Sequence, residues 1–116
     1  MRNDPRLRTA RHAPLRPTRA PPPRHRPAYA TPKVLDMMKL KLSDISVLEY
    51  HEAFAGQILA NIKAMGSDKF ATDVMGLKGK VGDVDMSKFN LWGGSLSIGH
   101  PFGATGVRLA MHSANR

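Results

Sequence analysis

Between Asn90 and Gly106 the chain reads Asn-Leu-Trp-Gly-Gly-Ser-Leu-Ser-Ile-Gly-His-Pro-Phe-Gly-Ala-Thr-Gly, and no other stretch limits the fold so tightly. The pair Gly93-Gly94 allows positive φ and lets another group come close to the main chain. Ser95-Leu96-Ser97-Ile98 alternates polar and apolar and reads as a short strand-like segment. Pro101 suits the first position of a helix, where its missing N–H would be unpaired anyway. His100 is therefore placed at the lip of an element, just before a helix N-terminus, where a substrate could reach it. The helix is predicted over about Phe102 to Asn115, with Val107, Ala110, Met111 and Ala114 on one face. Gly103 and Gly106 each cost about 1 kcal/mol relative to Ala in a helix interior. Close approach of the helix start to a ligand or another backbone is the expected compensation.

Upstream, Thr31 and Pro32 read as the cap and first residue of a short helix to about Leu40, with Val34, Leu35 and Met38 on a shared face. Ile45 to Tyr50 is rich in branched and aromatic residues and reads as a mostly buried strand. It runs into His51 and then a helix from about Glu52 to Met65. Phe54, Ile58, Ile62 and Met65 form a single stripe there, expected to be core packing. Gly66 is placed to end this helix. Ser67-Asp68 could open a short helix through Met75, and the glycines and charges of residues 76–85 read as an exposed connection. No internal repeat appears.

The first 26 residues have a different texture. Eight arginines against one aspartate give +7 there, whereas ten basic and eight acidic residues give only +2 over 27–116. The high overall charge thus belongs to the tail and not to the folded part. Seven prolines by Pro27 exclude a continuous helix, so residues 1–26 are expected to be disordered or partly polyproline II. Three roles compete for it: a solvated tail with no dedicated function, a mitochondrial targeting segment, or an arm for nucleic-acid or membrane phosphates. Its arginines suit targeting, but its lack of serine does not. No aromatic residue interleaves the arginines, so a base-stacking platform is missing. The chain has no cysteine, which excludes disulfides, thiolate metal sites and a cysteine nucleophile within it. Five histidines at no short repeat spacing give no metal site. No apolar run is long enough to span a bilayer as a helix.

Asn90-x-x-Gly93-Gly94, then Gly99-His100-Pro101-x-Gly103-Ala104-Thr105-Gly106, resembles the C-terminal signature of the thiolase family. The block His51-Glu52-Ala53-Phe54-Ala55 is a second thiolase-like motif. The run from Tyr50 to Met65, with His in first place, is most similar to the branch formed by the β-subunits of mitochondrial trifunctional proteins, the long-chain 3-ketoacyl-CoA thiolases. The resemblance covers about Pro27 to Arg116. It implies an α/β fold, a piece of the C-terminal half of a layered αβαβα architecture, with residues 1–26 as a separate tail and 27–116 as a partial thiolase C-terminal domain.

The resemblance also implies chemistry. In the family the histidine of Gly-His-Pro activates a nucleophilic cysteine and helps bind the thioester oxygen, a role that falls on His100. A near-neutral imidazole suits it, although a His in a glycine-rich turn is otherwise most often exposed or structurally bonded. His51 stands where many thiolases have Asn, holding the group that completes an oxyanion hole; an imidazole N–H can donate as an amide does. Its bland alternative is a cap for the following helix. Glu52 is expected to orient its neighbours, not to transfer protons. Asn90, Gly93, Gly94 and Gly99 would shape the substrate's surroundings, and His112 is expected on the surface. The family's Gly-Cys-Arg-Leu is here Gly106-Val107-Arg108-Leu109. Both catalytic cysteines are missing, so the chain is expected to be a fragment of a 3-ketoacyl-CoA thiolase of mitochondrial fatty-acid β-oxidation, inactive and marginally folded alone. No cofactor is implied, coenzyme A being a substrate. A thiolase subunit or the trifunctional α-subunit are the implied partners. The competing reading is a non-catalytic binding protein, engaging RNA or an anionic membrane through its tail or docking on a complete thiolase subunit.

Overall fold

The computed structural model describes residues 26–116. The expectations for residues 1–25 lie outside the described residues. Five helices follow in order: α1 (Arg26–Met38), α2 (Ala55–Met65), α3 (Asp68–Asp73), α4 (Ser95–Ile98) and α5 (Thr105–Asn115).

Helix α1 begins earlier than predicted and carries Pro32 in its interior. Its first turn is held from outside: the Ala28 N–H donates to Asn61 Oδ1 of α2 at 3.0 Å, satisfying one of the donors that a helix start leaves open. The Tyr29 ring packs edge-on against Phe70, centroids 5.8 Å apart. With Ala28 and Leu35 buried, these contacts outweigh the bond that Pro32 removes. Thr31 does not cap; its hydroxyl pairs with the Tyr50 hydroxyl at 2.8 Å. Val34 and Met38 are exposed, so the predicted apolar face narrows to Ala28 and Leu35.

The predicted strand from Ile45 to Tyr50 is extended but forms only one rung, an isolated parallel bridge between Leu48 and Phe89. No strand occurs among the described residues. Two extended segments with no further neighbour cannot sustain a ladder. A side chain supplies the next rung instead. Asn90 Oδ1 accepts from the Tyr50 N–H at 2.8 Å, and Asn90 Nδ2 donates to the Tyr50 carbonyl at 3.0 Å. The described part is thus mostly helical, a piece of an α/β fold in which the sheet survives as this short pairing.

Helix α2 starts three residues later than predicted. Phe54 is its exposed N-cap, while Ile58, Asn61 and Met65 turn inward. Ser67 caps α3, its hydroxyl accepting from the Phe70 N–H at 3.2 Å. Leu35, Leu42, Leu48, Ile58 and Phe89 make the core, with Ile45, Tyr50, Ile62, Val81 and Val84 packed against it.

Ser95–Ile98 is one helical turn and not strand-like; the Ser97 and Ile98 N–H groups both donate to the Gly94 carbonyl, at 3.0 and 3.1 Å. Four alternating residues cannot distinguish the two periods. Val107, Ala110, Met111 and Ala114 do share a face of α5, and it is the outward one; the inward stripe is Thr105, Arg108 and His112, continued by Arg116 at the C-cap. The reason is polar. Arg116 pairs with the buried Glu49 carboxylate at 2.8 Å, and His112 Nδ1 lies 3.4 Å from its other oxygen. A carboxylate with 1% of its side chain exposed requires such partners, and it draws the polar face of α5 inward. A Cβ added at Gly103 or Gly106 would meet open space, so no other backbone approaches there.

Candidate functional site

The bridge and the Asn90 side chain fix residues 48–50 against 88–90, and His51 follows at once. On the other segment of this pairing the chain must turn back. Asn90 does so with φ 47°, in the left-handed region that Asn tolerates, and Gly93 with φ 93°. The Gly93 N–H closes the turn on the Asn90 carbonyl at 3.0 Å. This brings the buried Ser95 to His51, Oγ to Nδ1 at 2.9 Å. After α4, Gly99 turns the chain again with φ 95° and delivers His100.

The two imidazoles meet. Their ring centroids are 4.1 Å apart with the planes tilted by 38°. Phe102 packs its ring against His100 at 5.0 Å on an exposed surface. His100 Nδ1 lies 2.7 Å from Thr105 Oγ1, and that hydroxyl donates its own proton to the Pro101 carbonyl at 3.2 Å. With the hydroxyl proton on the Pro101 carbonyl, Thr105 accepts from His100 Nδ1–H and Nε2 of the neutral ring keeps its lone pair, the arrangement of a base; with that proton on His100 Nδ1, the ring is the Nε2–H tautomer. His51 is held below its ordinary pKa, first by desolvation, then by electrostatic repulsion from His100 and Arg108, with Glu52 partly opposing them. Its neutral form is thereby favoured.

Glu52 ties the loops together. Its Oε1 accepts from Asn90 Nδ2 at 2.6 Å and its Oε2 from the Leu96 N–H at 3.3 Å. A Cβ on Gly94 would overlap this carboxylate, so the close approach sought at the start of the last helix lies here instead. Asn90 is buried and its amide is occupied by Tyr50 and Glu52, behind the loop. Gly93 and Gly94 line the loop beside Ser95, while Gly99 is exposed next to His100. His112 is not a surface residue: it packs on Trp92, centroids 5.5 Å apart, and on Glu49. A separate cavity of about 540 Å³ between α1 and the extended segment touches His51 but not His100, and its lining is largely apolar. It is not the space that the two rings share.

Three side chains of this neighbourhood received no role from the sequence: Ser95, and Thr105 and Arg108, which stand inside the quoted motifs. Arg108 donates to Ser95 Oγ at 2.8 Å and to the Gly93 carbonyl at 3.3 Å. Their signal was present as spacing, a hydroxyl and a cation three residues apart on one helix face, but the apolar stripe of α5 masked it.

Residues 22–116 match the family described as thiolase, C-terminal domain. The chain belongs to the thiolase family. Over 90 residues it is 64% identical to the mouse protein named trifunctional enzyme subunit beta, mitochondrial, covering 78% of this chain and 19% of that protein. It is 66% identical over 90 residues to a probable 3-ketoacyl-CoA thiolase of Caenorhabditis elegans, covering 78% of this chain and 20% of the relative. A 3-ketoacyl-CoA thiolase of the bacterium Colwellia psychrerythraea is 52% identical over 89 residues, 77% of this chain and 20% of the relative. This thiolase-family chain thus spans about a fifth of the length of the curated relatives it matches.

Proposed function

We propose that this chain carries the histidine half of the acyl-transfer site of a 3-ketoacyl-CoA thiolase, an acetyl-CoA C-acyltransferase of fatty-acid β-oxidation. The observation that carries the reading is the 4.1 Å approach of the His51 and His100 rings, one from each family motif. In the proposed reaction His100 Nε2 takes the proton of a cysteine thiol. The thiolate attacks the 3-keto carbon, the C2–C3 bond breaks, and acetyl-CoA leaves as its enolate. Charge collects on the thioester oxygen, which takes hydrogen bonds from His51 and from His100, now protonated. A second acid, also outside these residues, protonates the enolate, and its conjugate base takes the thiol proton of coenzyme A as that sulfur attacks the acyl carbonyl and releases the cysteine thiolate. Coenzyme A is thus a substrate, and the scheme calls for no cofactor.

These 116 residues contain no cysteine, so the thiolate must come from outside them. Val34, Met37, Met38, Phe54, Val107 and Met111 are all exposed, apolar side chains apt for packing against further thiolase structure. A thiolase subunit is the partner proposed, with association to a trifunctional α-subunit as the wider setting. The mitochondrial relatives support a mitochondrial location. No described helix is long and apolar enough to cross a membrane.

The test is a graft. Residues 47–116 replace the matching segment of the mouse β-subunit, and thiolysis of a long-chain 3-ketoacyl-CoA is measured. The graft should turn over. His100→Ala in it should lower kcat by roughly 10²–10⁴, the worth of a general base, and His51→Ala by roughly 10²–10³, the worth of an oxyanion donor. A graft whose turnover survives His100→Ala would sink the proposal.

A further inference from the structure

Arg108 is a half-buried cation with no carboxylate in ion-pair range among the described residues. Its guanidinium is aimed at the hydroxyl that holds His51, and what it does there follows from counting protons. A guanidinium can only donate, so Ser95 Oγ accepts from Arg108 at 2.8 Å. The other neighbour of that buried oxygen is His51 Nδ1 at 2.9 Å. Were Nδ1 protonated, two donors would converge on one oxygen and the serine proton would have no acceptor in this network. With Nδ1 bare, all the bonds are made: Arg108 donates to Ser95, and Ser95 donates to His51.

We propose that Ser95 and Arg108 are positioning residues which fix His51 as the Nε2–H tautomer, so that its free N–H points away from Ser95 as a donor for a thioester oxygen. The role of that N–H rests on the acyl-transfer reading above; the tautomer does not. His100 makes the corresponding contact to Thr105 Oγ1. The hydroxyls beside the two rings differ in their own partners, a cation for Ser95 and a carbonyl for Thr105. Arg108 has a second effect, since its charge opposes protonation of His51 and favours the neutral donor.

Long-range ¹H–¹⁵N correlation spectra of the ¹⁵N-labelled full chain at pH 7.5 read the tautomer directly. The unmodified chain should show the proton of His51 on Nε2. Ser95→Ala and Arg108→Met should each shift the balance toward Nδ1–H by about threefold to tenfold, the range that the net worth of one hydrogen bond commands. Ser95→Thr, which keeps the hydroxyl, should restore the original spectrum. A proton on Nδ1 in the unmodified chain, or the averaged signature of a free ring, overturns the proposal without any variant. So does a His51 spectrum unmoved by both Ser95→Ala and Arg108→Met. Thiolysis by the graft is measured separately, so an inactive graft with His51 locked on Nε2–H refutes the reaction and leaves the tautomer assignment standing.

Discussion

Replacing Asn90 by Ala removes the side chain that stands in for a sheet rung, and the loss can be worked out bond by bond. Two neutral bonds to Tyr50 disappear, each with a net worth of about 1 kcal/mol, and the bond to the Glu52 carboxylate is worth about 1.5–3 kcal/mol. Ala also tolerates φ 47° less well than Asn, by about 1 kcal/mol. Members of one network do not add fully, so the expected loss is about 3–5 kcal/mol. Chains of this size are stable by roughly 0.05–0.15 kcal/mol per residue, or roughly 5–14 kcal/mol over the 91 described residues. The change therefore removes a large part of the total. Urea unfolding followed by the fluorescence of Trp92 measures it. Asn90→Gly separates the two contributions: it relieves the backbone but restores no bond, so it should lie within about 1 kcal/mol of Asn90→Ala. A loss below about 1 kcal/mol for Ala, or full recovery with Gly, refutes the hydrogen-bond argument.

Further expectations follow from the same geometry. Gly94→Ala drives a methyl into the Glu52 carboxylate and should destabilise by about 1–3 kcal/mol, the usual range for overpacking, with loss of the Glu52 contacts to Asn90 and Leu96 visible in amide exchange. Thr105→Val keeps the shape and removes the hydroxyl bonded to His100; the ring of His100 should then lose its tautomer preference while α5 remains helical by circular dichroism. His51 binds its proton more weakly folded than unfolded. Its contribution to stability is therefore complete above about pH 6.5 and is lost as pH falls from there through its lowered value. The urea midpoint should drop between pH 7.5 and 5.5, and by less in His51→Asn. Deleting residues 1–25 should leave acyl-CoA binding unchanged; a complex with RNA or anionic vesicles that vanishes with this deletion and weakens from low to physiological salt would favour the tail-driven reading instead.

That His51 and His100 belong to one site was implied only by the family resemblance of their two motifs. The structure shows how they meet: Asn90, Gly93 and Gly99, all with positive φ, reverse the chain and bring residue 100 to residue 51. The inward face of α5 was not legible. Apolar periodicity put Val107 and Met111 on a shared face, but a buried carboxylate about sixty residues away in another segment turned the polar face inward, and no periodicity records that. The strand at Ile45–Tyr50 failed for a related reason. Branched residues favour extended backbone, yet a strand exists only beside a partner, and here the partner is one rung plus the amide of Asn90. The turn Ser95–Ile98 shows the lower limit of pattern reading, since four residues fit either period.

The central claim is that the imidazoles of His51 and His100 share one oxygen. Titration of the full chain with acetoacetyl-CoA, read at the Nε2 resonances of both rings, tests it most directly. The account predicts that both rings shift together, with a single apparent affinity, and that coenzyme A lacking the acyl group leaves them nearly unmoved. Shifts at only one ring, or at neither, would contradict it.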